Sequence, residues 1–350
     1  MDSLDTLRAA FTPVPGYLDA ATCGLPARAT TEAMHEAIET WQAGRADLAV
    51  YDAAVVASRS AYARLVGTDP SRVAIGSQTS ALVGAVAASV PDGADVLVVD
   101  GDFSSVVFPF LAQADRGVTV RHAPLDDLAS AIRPGTHTVA FALVQSLDGR
   151  VADVDAVLAA ARVVGARTVC DVTQAAGWLP VEADRFDVTV CSAYKWLSAP
   201  RGTAFLTVGP ELLADLRPSS AGWYAGEEIW SSVYGPDMAL ARDARRLDVS
   251  PAWLCWVGAA PVLAAFADAD TEQVRRYDVG LADSFRAALG LEPGGSAIVA
   301  LPDDAAGSRR ARLSAGGTRS AGRGGRVRLA FHVWNDDADV ARAVAALSNS

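Results

Sequence analysis

The sequence predicts an α/β fold: a large domain with a mostly parallel seven-stranded sheet between helices, plus a smaller C-terminal α+β domain. Between about residues 73 and 208, short β-branched runs alternate with alanine-rich helical patterns. These runs are apolar throughout, as is typical of strands that are buried on both faces. The chain has 350 residues, of which 51% are apolar, and this is enough to form a large and a small core.

The strands of the large domain are predicted at residues 73–76, 95–99, 118–120, 138–144, 168–171, 187–191 and 202–208. Before them, residues 27–43 and 51–66 have helical patterns, with Met34, Ile38 and Trp41 at helical spacing in the first. After them, the segment from about 209 to 250 is rich in glycine, serine, tryptophan and tyrosine, and we expect it to form loops over a site.

The smaller domain follows in a second group of elements, predicted as helices at 252–267 and 271–289, strands at 297–301 and 326–334, and a helix from 337. The locally basic, glycine-rich residues 315–326 are predicted to be a mobile, solvated loop. We divide the chain into an N-terminal arm (1–16), a large domain (17–235) and a small domain (236–350).

Composition excludes several classes of partner. A formal charge of -11 argues against nucleic acid and against an anionic membrane surface. No apolar run approaches the roughly 18 residues that span a bilayer, and the N-terminus has no secretory pattern. The sequence has four cysteines that lie far apart, Cys23, Cys170, Cys191 and Cys255. This spacing predicts reduced, buried thiols in a cytoplasmic protein. The four histidines lack metal-ligand spacing, so no metal is expected.

The most informative motif joins two neighbouring strands. Asp171 closes one apolar run, Gln174 follows about one helical turn later, and Lys195 ends the next strand. An acid so placed can pair with the ring nitrogen of pyridoxal phosphate, an amide can reach the ring hydroxyl, and a lysine can form the Schiff base. A lone aspartate here would more often cap a helix, but lysine is rarely buried without a task. Burial lowers the pKa of such an amine, which suits proton transfer at a substrate α-carbon.

On this Asp171…Gln174…Ser192-x-x-Lys195 pattern, the chain resembles the class V, fold-type I pyridoxal phosphate enzymes. That group contains aminotransferases, cysteine desulfurases, kynureninases, isopenicillin N epimerase-like proteins and some C–S lyases. The resemblance covers residues 17–335. It implies that Asp171 holds the pyridine nitrogen, Gln174 contacts the ring oxygen, Ser192 helps to bind phosphate, and Lys195 forms the Schiff base.

Other cofactor contacts are implied where two more predicted strands end. Gln78 and Thr79 lie between a strand and a helix, where backbone N–H groups can bind an anion. An ordinary helix cap is the alternative, and the resemblance favours a phosphate-binding turn. Phe103 matches the position whose ring stacks on the cofactor, although a lone phenylalanine at a strand end usually belongs to the core.

The C-terminal half supplies two further expectations. In residues 326–334, strict alternation puts Arg328 on a face that cannot be the core. The resemblance implies that Arg328 binds the substrate α-carboxylate, and the alternative is a solvent-facing arginine. Ser250 stands where the family has a threonine that reaches the phosphate of the neighbouring subunit, although Val249 replaces the family's glycine. The resemblance therefore implies a homodimer with the active site at the subunit interface.

Departures from the family pattern narrow the activity. No cysteine lies between Arg309 and Arg328, and Phe103 and Tyr194 replace the usual histidines, so desulfuration is disfavoured. Tyr194 can still hydrogen-bond near the substrate, and Ser146 replaces an asparagine that contacts substrate in many relatives. We predict an enzyme acting on an L-amino acid or amino-acid conjugate, namely an aminotransferase. A C–S (β-elimination) lyase is the alternative, ranked above an epimerase, a desulfurase or a non-catalytic cofactor sensor.

Overall fold

The computed structural model describes residues 2–348, and its larger sheet has the seven strands predicted from the sequence. They are β1 (Val73–Gly76), β2 (Asp95–Val99), β3 (Thr119–Ala123), β4 (Thr136–Ala142), β5 (Arg167–Asp171), β6 (Val188–Ser192) and β7 (Ala204–Val208). Their order is β1-β7-β6-β5-β4-β2-β3. β7 is antiparallel to both of its neighbours, and the other pairings are parallel. The predicted mostly parallel sheet is confirmed.

The α-helices of the described residues include the five predicted from the sequence. They are α1 (Ser3–Ala9), α2 (Arg28–Gln42), α3 (Leu48–Leu65), α4 (Thr79–Ala87), α5 (Ser104–Leu111), α6 (Leu128–Ala131), α7 (Val154–Val164), α8 (Pro210–Leu213), α9 (Trp253–Asp268), α10 (Thr271–Ala288), α11 (Ser308–Ala315) and α12 (Asp337–Ser348). Residues 209–250 contain α8 and several short 3₁₀ turns, which agrees with the predicted loops.

Helices cover both faces of the large sheet. On one face, Val96 and Val98 of β2 pack in the same apolar cluster as Val83 of α4 and Phe110 of α5. On the other face, Leu97 belongs to a larger cluster that includes residues of α1, α3, α7 and α9. This double burial explains why the strands are continuous apolar runs in the sequence.

The parallel strands bring their carboxyl ends to one edge. Five strands end there: β1 at Gly76, β2 at Val99, β4 at Ala142, β5 at Asp171 and β6 at Ser192. In open α/β sheets, ligands bind beyond this edge, so the topology alone indicates where a site lies.

The smaller sheet consists of β8 (Ile298–Pro302), β9 (Ala321–Arg323) and β10 (Arg326–Ala330) in the antiparallel order β8-β10-β9. The prediction of a mobile loop at 315–326 is wrong because this segment contains β9. Gly324 and Gly325 both have positive φ angles, 51° and 72°, and form the tight turn that joins β9 to β10. β10 also ends at Ala330, earlier than predicted.

A second correction concerns the two faces of β10. Val327 and Leu329 pack against the small-domain helices as the alternation predicts. The opposite face, however, is also buried, and Arg328 is only 1% exposed. This happens because the N-terminal segment runs alongside β10, where the Ala330 N–H donates to the Leu18 carbonyl at 2.8 Å. The prediction that this face lies outside the core is therefore wrong.

Cys170 and Cys191 are buried thiols, whereas Cys255 is half-buried and Cys23 is exposed, so the prediction of buried thiols holds for only two of the four cysteines. Along residues 2–348, every helix is too short or too polar to cross a bilayer. The division of the chain at residues 16/17 and 235/236 stays a prediction.

Candidate active site

Seven of the residues singled out from the sequence line one cleft at the carboxyl edge of the large sheet: Gln78, Thr79, Phe103, Asp171, Ser192, Tyr194 and Lys195. Ser77, Ser105, Thr173 and Arg201 complete the lining. Four other predicted residues lie outside this lining. Ser250 lies apart, whereas hydrogen bonds connect Gln174, Ser146 and Arg328.

Lys195 follows β6 and is 6% exposed. Its Nζ lies 5.0 Å from the centre of the Phe103 ring and 5.8 Å from that of Tyr194. Burial lowers the pKa of the Lys195 ammonium to about 8, against the opposing effect of the Asp171 carboxylate. Lys195 is also the only lysine in the chain, a sequence signal in its own right. An amine with this pKa can act as a nucleophile or base near neutral pH.

The turn that carries Lys195 is held from the N-terminal side of the chain. The Gly24 N–H donates to the Tyr194 carbonyl at 2.9 Å. A Cβ atom added at Gly24 would lie 2.2 Å from the Lys195 carbonyl oxygen, so only glycine allows this approach. Close packing therefore positions the lysine before any ligand binds.

Asp171 is the last residue of β5 and is 4% exposed. One carboxylate oxygen accepts a hydrogen bond from the Thr173 N–H at 2.8 Å. Burial raises the pKa of Asp171, while the contacts with Thr173 and the charge of Lys195 oppose that shift. A cation placed beside this carboxylate would stabilise its ionised form, and a protonated pyridine nitrogen is such a cation.

The opposite end of the cleft is built to hold an anion. α4 begins at Thr79, directly after the extended Gln78, whose side chain does not cap the helix, and the Thr79 N–H donates to the Ser192 hydroxyl at 3.1 Å. The Thr79 and Ser192 hydroxyl oxygens lie 2.8 Å apart, and the Ser192 N–H donates to the Thr173 hydroxyl at 2.9 Å. These hydroxyls and the positive end of the α4 helix dipole match the needs of a phosphate. Thr173 escaped the sequence analysis although it lies between Asp171 and Gln174.

Arg328 acts on Lys195 through its charge, which helps to lower the pKa of the lysine. Its Nη1 donates to the carbonyl and hydroxyl oxygens of Ser146, and its Nη2 donates to the Thr22 hydroxyl at 2.9 Å. Burial lowers the pKa of Arg328 to about 10, and its Nε is buried without a hydrogen-bond partner among residues 2–348. A buried guanidinium with a free donor can bind a carboxylate. Thr22 was not predicted because its contact depends on the long-range path of residues 17–22.

Gln174 is held by three partners within the protein. Its Nε2 donates to the Ala21 carbonyl at 3.0 Å and to the Ser146 hydroxyl at 3.1 Å, and its Oε1 accepts from the Trp196 indole at 2.7 Å. Both amide hydrogens are thus used. A contact in which this amide donates to a ring oxygen, as predicted, requires Gln174 to release either the Ala21 carbonyl or the Ser146 hydroxyl.

Ser250 is exposed and lies outside the cleft of its own chain. The segment before it is anchored by Asp248, which pairs with Arg59 at 2.6 Å and accepts from the Ile75 N–H at 2.8 Å. Burial raises the pKa of Asp248 to about 6. The anchor holds this segment beside β1, the strand that leads into the predicted phosphate-binding turn.

Asp102 was also missed by the sequence analysis. Its carboxylate accepts from the Phe103 N–H at 2.7 Å and from the Ala142 N–H at 2.8 Å, so it ties the end of β2 to the end of β4. Burial raises the pKa of Asp102 to about 6, and the nearby Asp171 adds to the shift. Asp102 therefore positions the aromatic wall of the cleft.

The donor set of the cleft fits pyridoxal phosphate: an anion-binding end, a buried acid, a lysine between them and an aromatic wall. In the described part of the chain, no three or more His, Cys, Asp or Glu side chains are arranged so that they could hold a metal ion.

Comparison with known proteins agrees with this chemistry. Residues 17–307 match the family described as Aminotransferase class-V. The uncharacterized aminotransferase YcbU of Bacillus subtilis is 27% identical over 82% of this chain and 81% of its own length. A kynureninase of Deinococcus radiodurans is 31% identical over 81% of this chain and 74% of its own length.

Among solved structures, the cystine C-S lyase C-DES, in complex with cysteine persulfide, superposes with a TM-score of 0.86. It shares 18% identity over 96% of this chain and 97% of that chain, and so shows the same fold. The family match spans most of the chain. The chain therefore belongs to the class-V aminotransferase family of pyridoxal phosphate-dependent enzymes.

Proposed function

We propose that this enzyme is an aminotransferase that acts at the α-carbon of an L-amino acid. The observation that carries the proposal is the joint burial of the Lys195 amine, the Asp171 carboxylate and the Arg328 guanidinium around one edge of the sheet. Pyridoxal phosphate, when bound, supplies an electron sink for the charge left at the α-carbon.

Each predicted residue has a role in this proposal. Lys195 binds the cofactor covalently, and Asp171 pairs with the ring nitrogen. Phe103 stacks on the ring, while Gln174 approaches its hydroxyl oxygen. The phosphate is held by Gln78, Thr79 and Ser192 at the start of α4.

Lys195 also moves the substrate proton. Since the pKa of its amine is lowered to about 8, a useful fraction is neutral near pH 7.5, and a neutral amine can accept the α-proton. Tyr194 has a raised pKa because of burial, so its phenol stays protonated and serves as a hydrogen-bond donor to substrate.

Arg328 and Ser146 bind the substrate. The free Nε of Arg328 offers a donor to the α-carboxylate, and the Ser146 and Thr22 oxygens hold the guanidinium in place. Fixing the carboxylate orients the Cα–H bond toward the lysine and disfavours decarboxylation.

A C–S lyase is the second candidate. Removal of the α-proton by Lys195 also begins a β-elimination, which expels the sulfur substituent as a thiol and, after hydrolysis by water, releases pyruvate and ammonia. Support comes from the cystine C-S lyase C-DES, whose structure superposes over nearly the whole chain. Cysteine desulfuration is less well supported, because the exposed Cys23 has a raised pKa and is mainly a thiol at neutral pH.

A homodimer is part of the proposal. Ser250 is exposed and would reach the phosphate of the neighbouring subunit. Trp41 is 62% exposed and lies with Leu48 and Trp253 in an apolar surface depression. Apolar surfaces of this kind mark subunit contacts. A cytoplasmic location and the absence of nucleic-acid partners are retained as predictions from the four free cysteines and the charge of -11.

Replacement of Lys195 tests the proposal. The Lys195→Ala enzyme should show no turnover and should retain no cofactor after borohydride reduction, as judged by mass spectrometry of the intact chain. The chain has no other lysine, so the wild-type adduct reports on this residue and the N-terminal amine, which peptide mapping separates. Undiminished turnover in Lys195→Ala would refute the assignment.

A further inference from the structure

Two arginines approach one hydroxyl oxygen at the mouth of the active site. The Oγ1 atom of Thr22 lies 2.9 Å from Arg328 Nη2 and 3.4 Å from Arg323 Nη2. Arg328 is buried on β10, whereas Arg323 is exposed at the end of the neighbouring strand β9. Arg323 therefore lies immediately outside the proposed carboxylate clamp.

The charge of Arg323 acts on the buried residues of the site. Its charge helps to lower the pKa of both Arg328 and Lys195. Asp19 is the carboxylate that acts on Arg328, and burial raises the pKa of this carboxyl. Arg319 already lies 3.8 Å from Asp19. The surface around Thr22, where Arg319, Arg323 and Arg328 face the single carboxyl of Asp19, thus carries excess positive charge in a chain whose net charge is -11.

The Arg323 side chain makes few contacts within the protein. Its Nη1 donates to the carbonyl of the adjacent Gly322 at 2.8 Å, and its contact with Thr22 is long. Within residues 2–348, no carboxylate lies within 4.0 Å of its guanidinium. An exposed side chain with such contacts contributes little to folding stability.

We propose that Arg323 recognises a second carboxylate, so that the enzyme acts on amino acids with an acidic side chain. Arg328 takes the α-carboxylate, and Arg323, one strand away, takes the distal one. The Gly324-Gly325 turn fixes the relation of the two strands, and pairing of Arg328 with Ala321 sets their register. This inference rests on the proposed function, since it assigns a substrate class to the same site. The family match ends at residue 307, before either arginine.

Binding of unreactive acids tests the proposal directly. Succinate and butyrate have the same number of carbons and no amino group, but only succinate has two carboxylates. Calorimetric titration of the cofactor-loaded enzyme should show succinate binding about tenfold more tightly than butyrate. Arg323→Ala should remove this preference and leave butyrate binding unchanged. The control is Arg276→Ala, which alters an exposed arginine of α10 that donates to the Glu272 carbonyl and should leave the preference intact.

Equal affinities in the wild type, no succinate binding at millimolar concentration, or equal weakening of both acids by Arg323→Ala would overturn the inference. Turnover of L-glutamate and L-glutamine separates it from the proposed function. We expect Arg323→Ala to lower kcat/KM about tenfold more for glutamate than for glutamine. If the wild type turns over no amino acid, the aminotransferase proposal fails, while the succinate and butyrate comparison still decides the role of Arg323.

Discussion

Gln174 and Arg328 donate to the same atom. The Ser146 hydroxyl oxygen lies 3.1 Å from Gln174 Nε2 and 3.1 Å from Arg328 Nη1. One short side chain thus connects the amide predicted to approach the cofactor with the guanidinium predicted to bind substrate. We therefore expect a substitution at Ser146 to affect both the Gln174 amide and the Arg328 guanidinium.

Ser146→Ala should raise KM for the amino acid more than it lowers kcat. Arg328 keeps its bond to the Ser146 backbone carbonyl but loses the hydroxyl partner, which costs about 1 kcal/mol, or roughly fivefold in kcat/KM. Ser146→Asn retains an acceptor and should lose less. Steady-state kinetics of the three enzymes checks this, and an unchanged kcat/KM in Ser146→Ala would contradict the shared role.

The Lys195 amine should titrate far below an ordinary lysine. Burial disfavours the ammonium form, so the pKa falls from 10.5 to about 8, and the neutral amine becomes available at lower pH. Cyanate is small enough to enter the cleft and reacts with neutral amines. In the cofactor-free enzyme, the rate of Lys195 carbamylation, followed by peptide mass, should rise with a midpoint near pH 8. A midpoint at or above pH 10 would contradict the buried placement.

Asp278 should make stability depend on pH. Both of its carboxylate oxygens are buried on α10 and lack hydrogen-bond partners within residues 2–348. Burial raises the pKa of Asp278 above that of the unfolded chain, with the Arg8 charge opposing the shift. The neutral form is therefore favoured in the fold, and stability falls as pH rises through the raised pKa.

Asp278→Asn removes this titration. Its free energy of unfolding in urea should exceed that of the wild type by about 1–2 kcal/mol at pH 8, and the difference should shrink below pH 4. Asp268→Asn is the control, because Asp268 is 68% exposed in a surface pair with Arg64 and should change stability by less than about 0.5 kcal/mol. A less stable Asp278→Asn enzyme at pH 8 would disprove the expectation.

Subunit complementation tests the shared site. If Ser250 serves the neighbouring subunit, Ser250→Arg and Lys195→Ala damage different chains of one site. Each variant alone should be inactive, while co-expression of the two should restore about a quarter of wild-type activity, because half of the dimers then carry one intact site. Activity no greater than the sum of the separate variants would rule out a site shared in this way.

Much of the large domain was predictable from local patterns. Strands covered on both faces are continuous apolar runs, and β1 to β7 follow those runs closely. Asp171 and Lys195 were placed together because neighbouring parallel strands end at one edge. In the structure, both residues line one cleft.

Long-range contacts were not predictable in the same way. A period of two shows which residues of β10 share a face, but it does not show that residues 17–22 cover the face of Arg328. For the same reason, Thr22 and Asp102 carried no local signal of their contacts. The Gly324-Gly325 pair is a hairpin signal, although the surrounding glycines and arginines also favour a loop. Trp41, at helical spacing in α2, remains exposed, since spacing alone does not decide burial.

The stoichiometry of a single reaction tests the central claim most directly. Cofactor-loaded enzyme is mixed with L-glutamate or other L-amino acids, including S-conjugates of cysteine, without any oxo-acid acceptor, while oxo acid and ammonia are assayed. The account predicts one equivalent of oxo acid per subunit, no free ammonia, and resumption only when an oxo acid is added. Continued release of pyruvate and ammonia without an acceptor would contradict it and identify a β-elimination lyase.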